Sequence, residues 1–344
     1  MKKTCLVIIS LLLSLSALLA AATGCDNKGP ETVTKTLTAT TTTTLQTSII
    51  ETVTATTTET VTVKVMTVTD DLGREVTIEG TPSRIVSLAP SNTEILFALG
   101  LGDKVVGVTE YCDYPEEALS IEKVGGYSDA NIEKIVAINP DLILAEDLHK
   151  TEVIPALEDL GFTVVAIVPY TLQEVMDSIN FIGMITRAEA AAEQIANDME
   201  RRIKEITDIT SVLTEGEKTS VLYVIWHEPI MSVGNDTRIH EIIELSGGIN
   251  IAAVAGEGYP TLALEEIISI NPQVILVNVE DYEGGDISLQ AILNETRFSD
   301  VDAVVNGRVY GINADLTNRP TPRIIDGFEL IAGILHPELF GDIE

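Results

Sequence analysis

The segment YSDANIEKIVAINPDLIL, beginning at Tyr127, recurs as YPTLALEEIISINPQVIL, beginning at Tyr259, and no other feature of the 344-residue chain limits its fold as strongly. Tyr259 follows Tyr127 by 132 positions, the offset that also separates Glu265 from Glu133, Asn271 from Asn139 and Pro272 from Pro140. Stacked-repeat folds have periods of roughly 20 to 50 residues, so this spacing specifies two lobes of matching design instead. Each copy carries an aromatic residue in a loop, a glutamate in the first turn of a following helix, an Asn-Pro stop and a buried strand. A first-turn carboxylate is favoured by the helix dipole whatever else it does, and a tyrosine ahead of a helix can serve only to cover the core. The same Tyr-to-Glu spacing in both lobes is what points to function.

The rest of the chain supports two α/β lobes. RIVSLAP, KVVGVTE, DLILAE and TVVAIVP are short apolar runs ending in turn residues, with helical patterns such as TEILFALG and EVIPALEDLG between them. Such alternation indicates βαβ units and a mostly parallel sheet. It resumes with SVLYVIW, VILVNV and VYGINA. Between the two sets, RAEAAAEQIANDMERRIKEITDI lacks Gly and Pro and offers i,i+4 pairs of Asp198 with Arg202 and Glu200 with Lys204, which predicts one long helix. The expected fold class is therefore α/β, with two Rossmann-like lobes joined by a single long helix. Ahead of the lobes, MTVTDDLGREVTI has two alternating runs around Asp71, Leu72 and Gly73, a hairpin pattern.

The first residues read as an export signal: Lys2 and Lys3, an apolar run from Leu6 to Ala22, then Thr23 and Gly24 before Cys25. The run is about as long as the shortest bilayer-spanning helices, so length alone leaves a retained anchor open. A cysteine directly after small residues resembles a lipobox, in which Cys25 is lipidated and becomes the mature N-terminus, although Ala22 stands where leucine is usual. Thr-rich sequence then runs to about Thr69 without aromatic residues. It favours extended backbone but supplies no core, so it is expected to be a solvated tether spanning roughly 35 Å as a flexible coil. The expected organisation is 1–24 signal peptide, 25–66 lipid-anchored Thr-rich linker, 67–182 N-terminal lobe, 183–212 connecting helix and 213–344 C-terminal lobe. The protein is accordingly expected on the outer face of the cytoplasmic membrane.

Several function classes are disfavoured. The formal charge of −32 argues against a nucleic-acid partner, which requires a cationic stripe to release counterions. Cys5 lies in the signal and Cys25 in the lipobox, which leaves Cys112 alone and read as a small packed residue. His149, His227, His240 and His336 are scattered and show no paired metal-ligand spacing. There is no Walker A loop, GxSxG or GxGxxG, so neither an enzyme nor a zinc or manganese receptor is indicated, and no cofactor is expected. Ser91 and Glu94 fit a capping box, which makes Glu94 helix punctuation, and Gly247 with Gly248 reads as a helix stop.

SLAPSNTEILFALG, VTEYCDYP, GGYSDANIEKIVAINPDLI and YPTLALEEIISINPQVI together resemble the solute-binding family that serves ABC importers of cobalamin, ferric siderophores and haem. The resemblance runs from about Val68 to the C-terminus. It implies two α/β lobes on one long helix, a metal-complex ligand in the shallow cleft between them, and an ABC permease dimer with its ATPase subunits as partner. It also implies that Glu133 and Glu265, one on each lobe, meet arginines of the two permease subunits. Exposed rim carboxylates suit that role, because they steer docking without being buried in the free protein.

By the same resemblance, Tyr111, Tyr127 and Tyr259 fall where cobalamin-binding members present aromatics to the ligand, with Tyr in place of Trp at Tyr127 and Tyr259. Aromatic walls suit a planar macrocycle. Tyrosines also suit siderophores, and one can ligate haem iron, so a corrinoid is the first expectation and a siderophore or haem the second. Trp226, the only tryptophan, ends an apolar strand and either faces the cleft or packs in the core. Asp315 and Arg319 match a loop that lines the cleft in the family, or form a local surface ion pair.

Overall fold

The computed structural model describes residues 9–14, 31–44, 52–279 and 287–341, with side chains from Lys64 onward. Cys25 and most of the expected export signal lie outside the described residues. The chain divides into two units, the first comprising Met1–Thr69 with Glu75–Pro82 and the second Asp70–Arg74 with Ser83–Glu344.

The first unit holds an antiparallel sheet of β1 (Ile9–Ser14), β2 (Glu31–Thr44), β3 (Thr52–Thr69) and β4 (Glu75–Glu79), in that order. The Thr-rich stretch is extended, as its β-branched composition favours, and it also pairs with itself: the β2–β3 ladder runs from Glu31 opposite Val65 to Thr44 opposite Thr52. The hairpin expected after Met66 forms between β3 and β4, and along β4 Val76 and Ile78 alternate inward.

The second unit contains both lobes. In the N-terminal lobe, β5 (Ile85–Ser87), β6 (Val105–Val108), β7 (Leu142–Ala145) and β8 (Val164–Ala166) form a parallel sheet ordered β6-β5-β7-β8. Its helices are α1 (Pro90–Ala98), α2 (Ile132–Ile138), α3 (Val153–Asp159) and α4 (Leu172–Thr186). After α5 (Glu189–Thr210), the C-terminal lobe contributes β9 (Thr219–Val224), the short hairpin β10 (Trp226–His227) and β11 (Ile230–Met231), then β12 (Gly248–Asn250), β13 (Val274–Val279) and β14 (Val309–Asn313). Here β12-β9-β13-β14 is again parallel. Around it lie α6 (Arg238–Leu245), α7 (Leu264–Ile270), α8 (Ile287–Leu293), α9 (Asp302–Val305), α10 (Asp315–Asn318) and α11 (Ile324–Leu335). Strands covered on both faces need continuous apolar runs, and LILA in β7 and VILV in β13 are buried throughout. Separate cores result, one around Val86, Ile143 and Val164 and the other around Leu222, Ile275 and Phe298.

The internal repeat becomes α2–β7 in one lobe and α7–β13 in the other. Asn139 and Asn271 end their helices in the left-handed region, at φ 52° and 56°, a conformation asparagine tolerates better than most residues. The prolines that follow cannot continue either helix.

The long helix α5 has 22 residues and spans roughly 33 Å. It starts later than expected, because Arg187 closes α4 in a left-handed conformation at φ 64°. Gly183 permits α4 and α5 to pack closely, since a Cβ there would lie 2.4 Å from that of Ala192. The charge pairs also differ from those anticipated. Arg201 holds Asp198 and Glu205, Lys204 holds Asp208, and Arg202 turns to Asp326 and Glu329 on α11. Among the described residues, no helix is long and apolar enough to cross a membrane.

Candidate functional site

In open α/β sheets, ligands bind beyond the carboxyl ends of the strands. There the second unit has a cavity of about 660 Å³, within the range for small-molecule sites. The N-terminal lobe supplies Tyr111 after β6, Tyr127 and Glu146 on either side of β7, and Tyr170 after β8, while the C-terminal lobe supplies Arg238, Tyr259 and Arg319. Tyr111, Tyr170 and Tyr259 are 53%, 59% and 60% exposed, an unusual amount of aromatic surface left to water in one depression.

Tyr127 is held at both ends. Its hydroxyl donates to Glu146 Oε2, and the Ser91 hydroxyl donates to Glu146 Oε1 at 2.6 Å. Burial and the neighbouring Glu146 carboxylate push the phenol far above its ordinary pKa, so it remains a protonated donor. Behind it, buried His149 accepts from the Glu146 backbone N–H at Nδ1, 3.0 Å away, and its Nε2–H donates to the Tyr127 carbonyl at 2.8 Å.

Protonating His149 would set two N–H donors face to face. Burial likewise holds its pKa below the ordinary histidine value. A histidine depressed in the folded state contributes stability above an unfolded pKa of roughly 6.5, and that stability is lost as pH falls from there through the folded value. We expect the His149 imidazole, followed by NMR, to titrate below the unfolded value, and the Tyr127 wall to loosen as it does. A His149 titration at or above the unfolded value would show that this support is not built as described.

Arg319 has a different setting from the local ion pair that its sequence neighbours suggested. It does contact Asp315 at 2.8 Å, but also Asp113 at 2.6 Å and Glu94 at 3.0 Å. Arg323 joins through Glu94 at 2.7 Å and lies 3.7 Å over the Tyr114 ring. Burial would lower the Arg319 pKa, yet bonds to Asp113 and Glu94 raise it. Glu94, 3% exposed, thus ties α1 of one lobe to residues flanking α11 of the other. The capping box expected of Ser91 and Glu94 does not form, because Pro90 occupies the first helical position and Ala89 is the N-cap. Ser91 turns instead to Glu146.

The structure therefore brings Tyr111, Tyr127, Tyr259 and Arg319 together around the cavity, with Asp315 behind Arg319. Trp226 is not among the residues lining it and is not buried either. It is 50% exposed on β10, its ring centroid 4.7 Å from that of His227 and its Nε1 donating to the Glu228 carbonyl. Glu133 and Glu265 occupy exposed first-turn positions on α2 and α7, away from the cavity lining. Tyr170, Glu146 and Arg238 were not anticipated. Pro169 and Tyr170 close the TVVAIVPY run, and the end of an apolar strand was the available signal for them. Among the described residues, no cluster of three His, Cys, Asp or Glu is arranged to hold a metal ion.

The chain has known relatives in sequence and fold. The family described as periplasmic binding protein matches residues 85–316. An uncharacterized ABC transporter substrate-binding lipoprotein of Bacillus subtilis, YvrC, is 35% identical over 280 residues, covering 80% of this chain and 87% of that protein. The vitamin B12-binding protein of Vibrio cholerae is 34% identical over 255 residues, covering 73% and 88%. A crystal structure of the V. cholerae vitamin B12-binding protein superposes with a TM-score of 0.63 over 74% of this chain and 96% of that one, at 33% identity. A periplasmic heme-binding protein of Roseiflexus, RhuT in apo form, gives a TM-score of 0.65 over 75% and 98%, at 25% identity.

Proposed function

We propose, from the premise that this chain belongs to the periplasmic binding protein family of ABC-transporter substrate-binding proteins, that it captures a corrinoid of the cobalamin type and delivers it to the permease. The family consists of binding proteins, and the chain is not an enzyme. One observation carries the ligand assignment: a cleft walled by Tyr111, Tyr127, Tyr170 and Tyr259 has exposed carboxylates, Asp129, Asp147 and Asp236, along its lining. A corrin ring presents flat apolar faces to such walls and a fringe of primary amides whose N–H groups suit carboxylate acceptors. Haem propionates and polyanionic siderophores, which carry several negative charges, meet these carboxylates less favourably than a corrinoid with a single phosphate. The similarity to a vitamin B12-binding protein supports this reading.

The test is calorimetric and spectroscopic titration with cyanocobalamin, haem and ferric siderophores. The expected result is low-micromolar or tighter corrinoid binding, equivalent to about 8 kcal/mol or more. No heat with any corrinoid, beside clear binding of haem or a siderophore, would transfer the assignment to that ligand. Two further parts of the reading concern delivery. Glu133 and Glu265 dock the permease, and export with lipidation at Cys25 holds the protein at the outer face of the membrane, a reading that YvrC, named a lipoprotein, supports.

A further inference from the structure

Arg238 is a cation lining the cleft that no carboxylate neutralises among the described residues. It opens α6 directly after the N-cap Thr237. Its Nη1 donates to the Pro169 carbonyl at 2.7 Å and its Nη2 to the Asn318 carbonyl at 2.8 Å, while buried Nε has no partner. A guanidinium has five N–H groups, so most of its donor capacity remains unused. Arg319, on the same cleft, is by contrast surrounded by Glu94, Asp113 and Asp315.

The acidic groups facing Arg238 are engaged elsewhere. Glu241 accepts from the Leu172 N–H at 2.8 Å, Glu174 accepts from the Tyr170 and Thr171 N–H groups, and Glu146 takes the Tyr127 and Ser91 hydroxyls. Asp236, two positions before Arg238 in the lining, accepts from the Gly258 N–H at 2.6 Å, and Ile167, Val168 and Ile239 add apolar surface to the same cavity. Burial lowers the Arg238 pKa, and the neighbouring Tyr259, Glu146, Glu241 and Glu174 offset that only in part. A half-buried cation in this state has N–H groups left to satisfy, and an oxyanion at the Nη atoms suits them best.

We infer that Arg238 receives the anionic group of the bound ligand, the phosphodiester of the corrinoid's nucleotide loop. The inference rests on the corrinoid reading above. It divides the cleft into tyrosine faces for the ring, carboxylates for the amide fringe, and one cation for the phosphate. Arg238 thereby makes the site selective for corrinoids that carry a phosphate.

The experiment compares cyanocobalamin, cobinamide phosphate and cobinamide, which carry a phosphodiester, a phosphate without the base, and neither. Each is titrated into the unaltered protein and into Arg238→Gln and Arg238→Lys. The unaltered protein should bind cyanocobalamin and cobinamide phosphate at least about tenfold more tightly than cobinamide. Arg238→Gln should weaken the two phosphate-bearing ligands to within about twofold of cobinamide and cost cobinamide much less, a coupling that a purely structural role does not produce. Arg238→Lys should retain part of the preference. Equal weakening of all three ligands would make Arg238 only a tie between the Pro169 and Asn318 carbonyls and overturn the inference. Equal affinity of the unaltered protein for all three would overturn it too, while leaving the corrinoid reading intact, and this comparison decides the matter even where Arg238→Gln does not fold. If no corrinoid binds the unaltered protein, both readings fail together.

Discussion

The double change Glu133→Ala with Glu265→Ala should abolish stimulation of the partner transporter's ATPase in proteoliposomes while leaving ligand affinity and melting temperature close to those of the unaltered protein. Both carboxylates sit in exposed first turns, and neither lines the cavity. Exposed charges contribute little to stability, so their removal should be nearly silent in the free protein. At a docked interface the same carboxylates would be desolvated against permease cations, where losing one partner costs roughly 2 to 5 kcal/mol. Two such losses amount to several powers of ten in the population of the docked complex. Charge reversal to Arg should be worse, because repulsion replaces attraction. A double alanine variant that loses ligand but still stimulates the ATPase would put these glutamates in the binding cleft and end the docking proposal.

Glu94→Ala should have the largest effect on the fold itself. The side chain is almost completely enclosed and holds Arg319 at 3.0 Å and Arg323 at 2.7 Å, so truncation leaves two guanidinium groups short of their shared acceptor. Breaking a buried pair in this way costs about 3 to 5 kcal/mol, which for a chain of this size lowers the melting temperature by on the order of 10 °C. Corrinoid affinity should fall as well, since Arg319 lines the cleft and would turn toward Asp113 and Asp315 alone. Removing the three most enclosed charges together, as Glu94→Leu with Arg319→Met and Arg323→Met, should recover part of the stability, with Asp113 and Asp315 left to solvent, and none of the affinity. A melting point unchanged in Glu94→Ala would mean that the cluster contributes nothing net.

How legible these features were depends on the distance over which each acts. The Tyr-Glu-Asn-Pro series was readable twice because its signals are local: a first-turn acid, a left-handed asparagine and a proline lie within one short helix and its ends. Tyr111, Tyr127 and Tyr259 were placed through the family pattern, and they do line one cavity. The Glu94 contacts were not readable, because Arg319 lies 225 positions away and the adjacent serine offered a sufficient local explanation. Arg202 shows the same limit on a smaller scale. Periodicity supplied a partner four residues back, yet α11 packs against that face and captures the guanidinium. Arg187 ends α4 in a backbone region where glycine or asparagine is the usual signal, so the boundary before α5 left no mark in composition. Arg238 opens a helix without any pattern of its own, and its significance comes from carboxylates that are occupied elsewhere.

The matched Tyr, Glu, Asn and Pro positions of the two repeats raise a question of orientation in assembly. On a two-fold partner, a receptor with one matching glutamate per lobe can seat in either of two orientations half a turn apart, and Glu133 and Glu265 alone cannot tell them apart. The neighbouring position differs between the lobes. Lys134 follows Glu133 and donates from Nζ to the Lys123 carbonyl, whereas Glu266 follows Glu265 and accepts from the Ala263 N–H. One lobe therefore offers a carboxylate beside an ammonium and the other a doubled negative charge. Under the docking proposal, a symmetric permease would be indifferent to which subunit meets which lobe, and both seatings would be equivalent. An asymmetric permease would be sorted by that one difference.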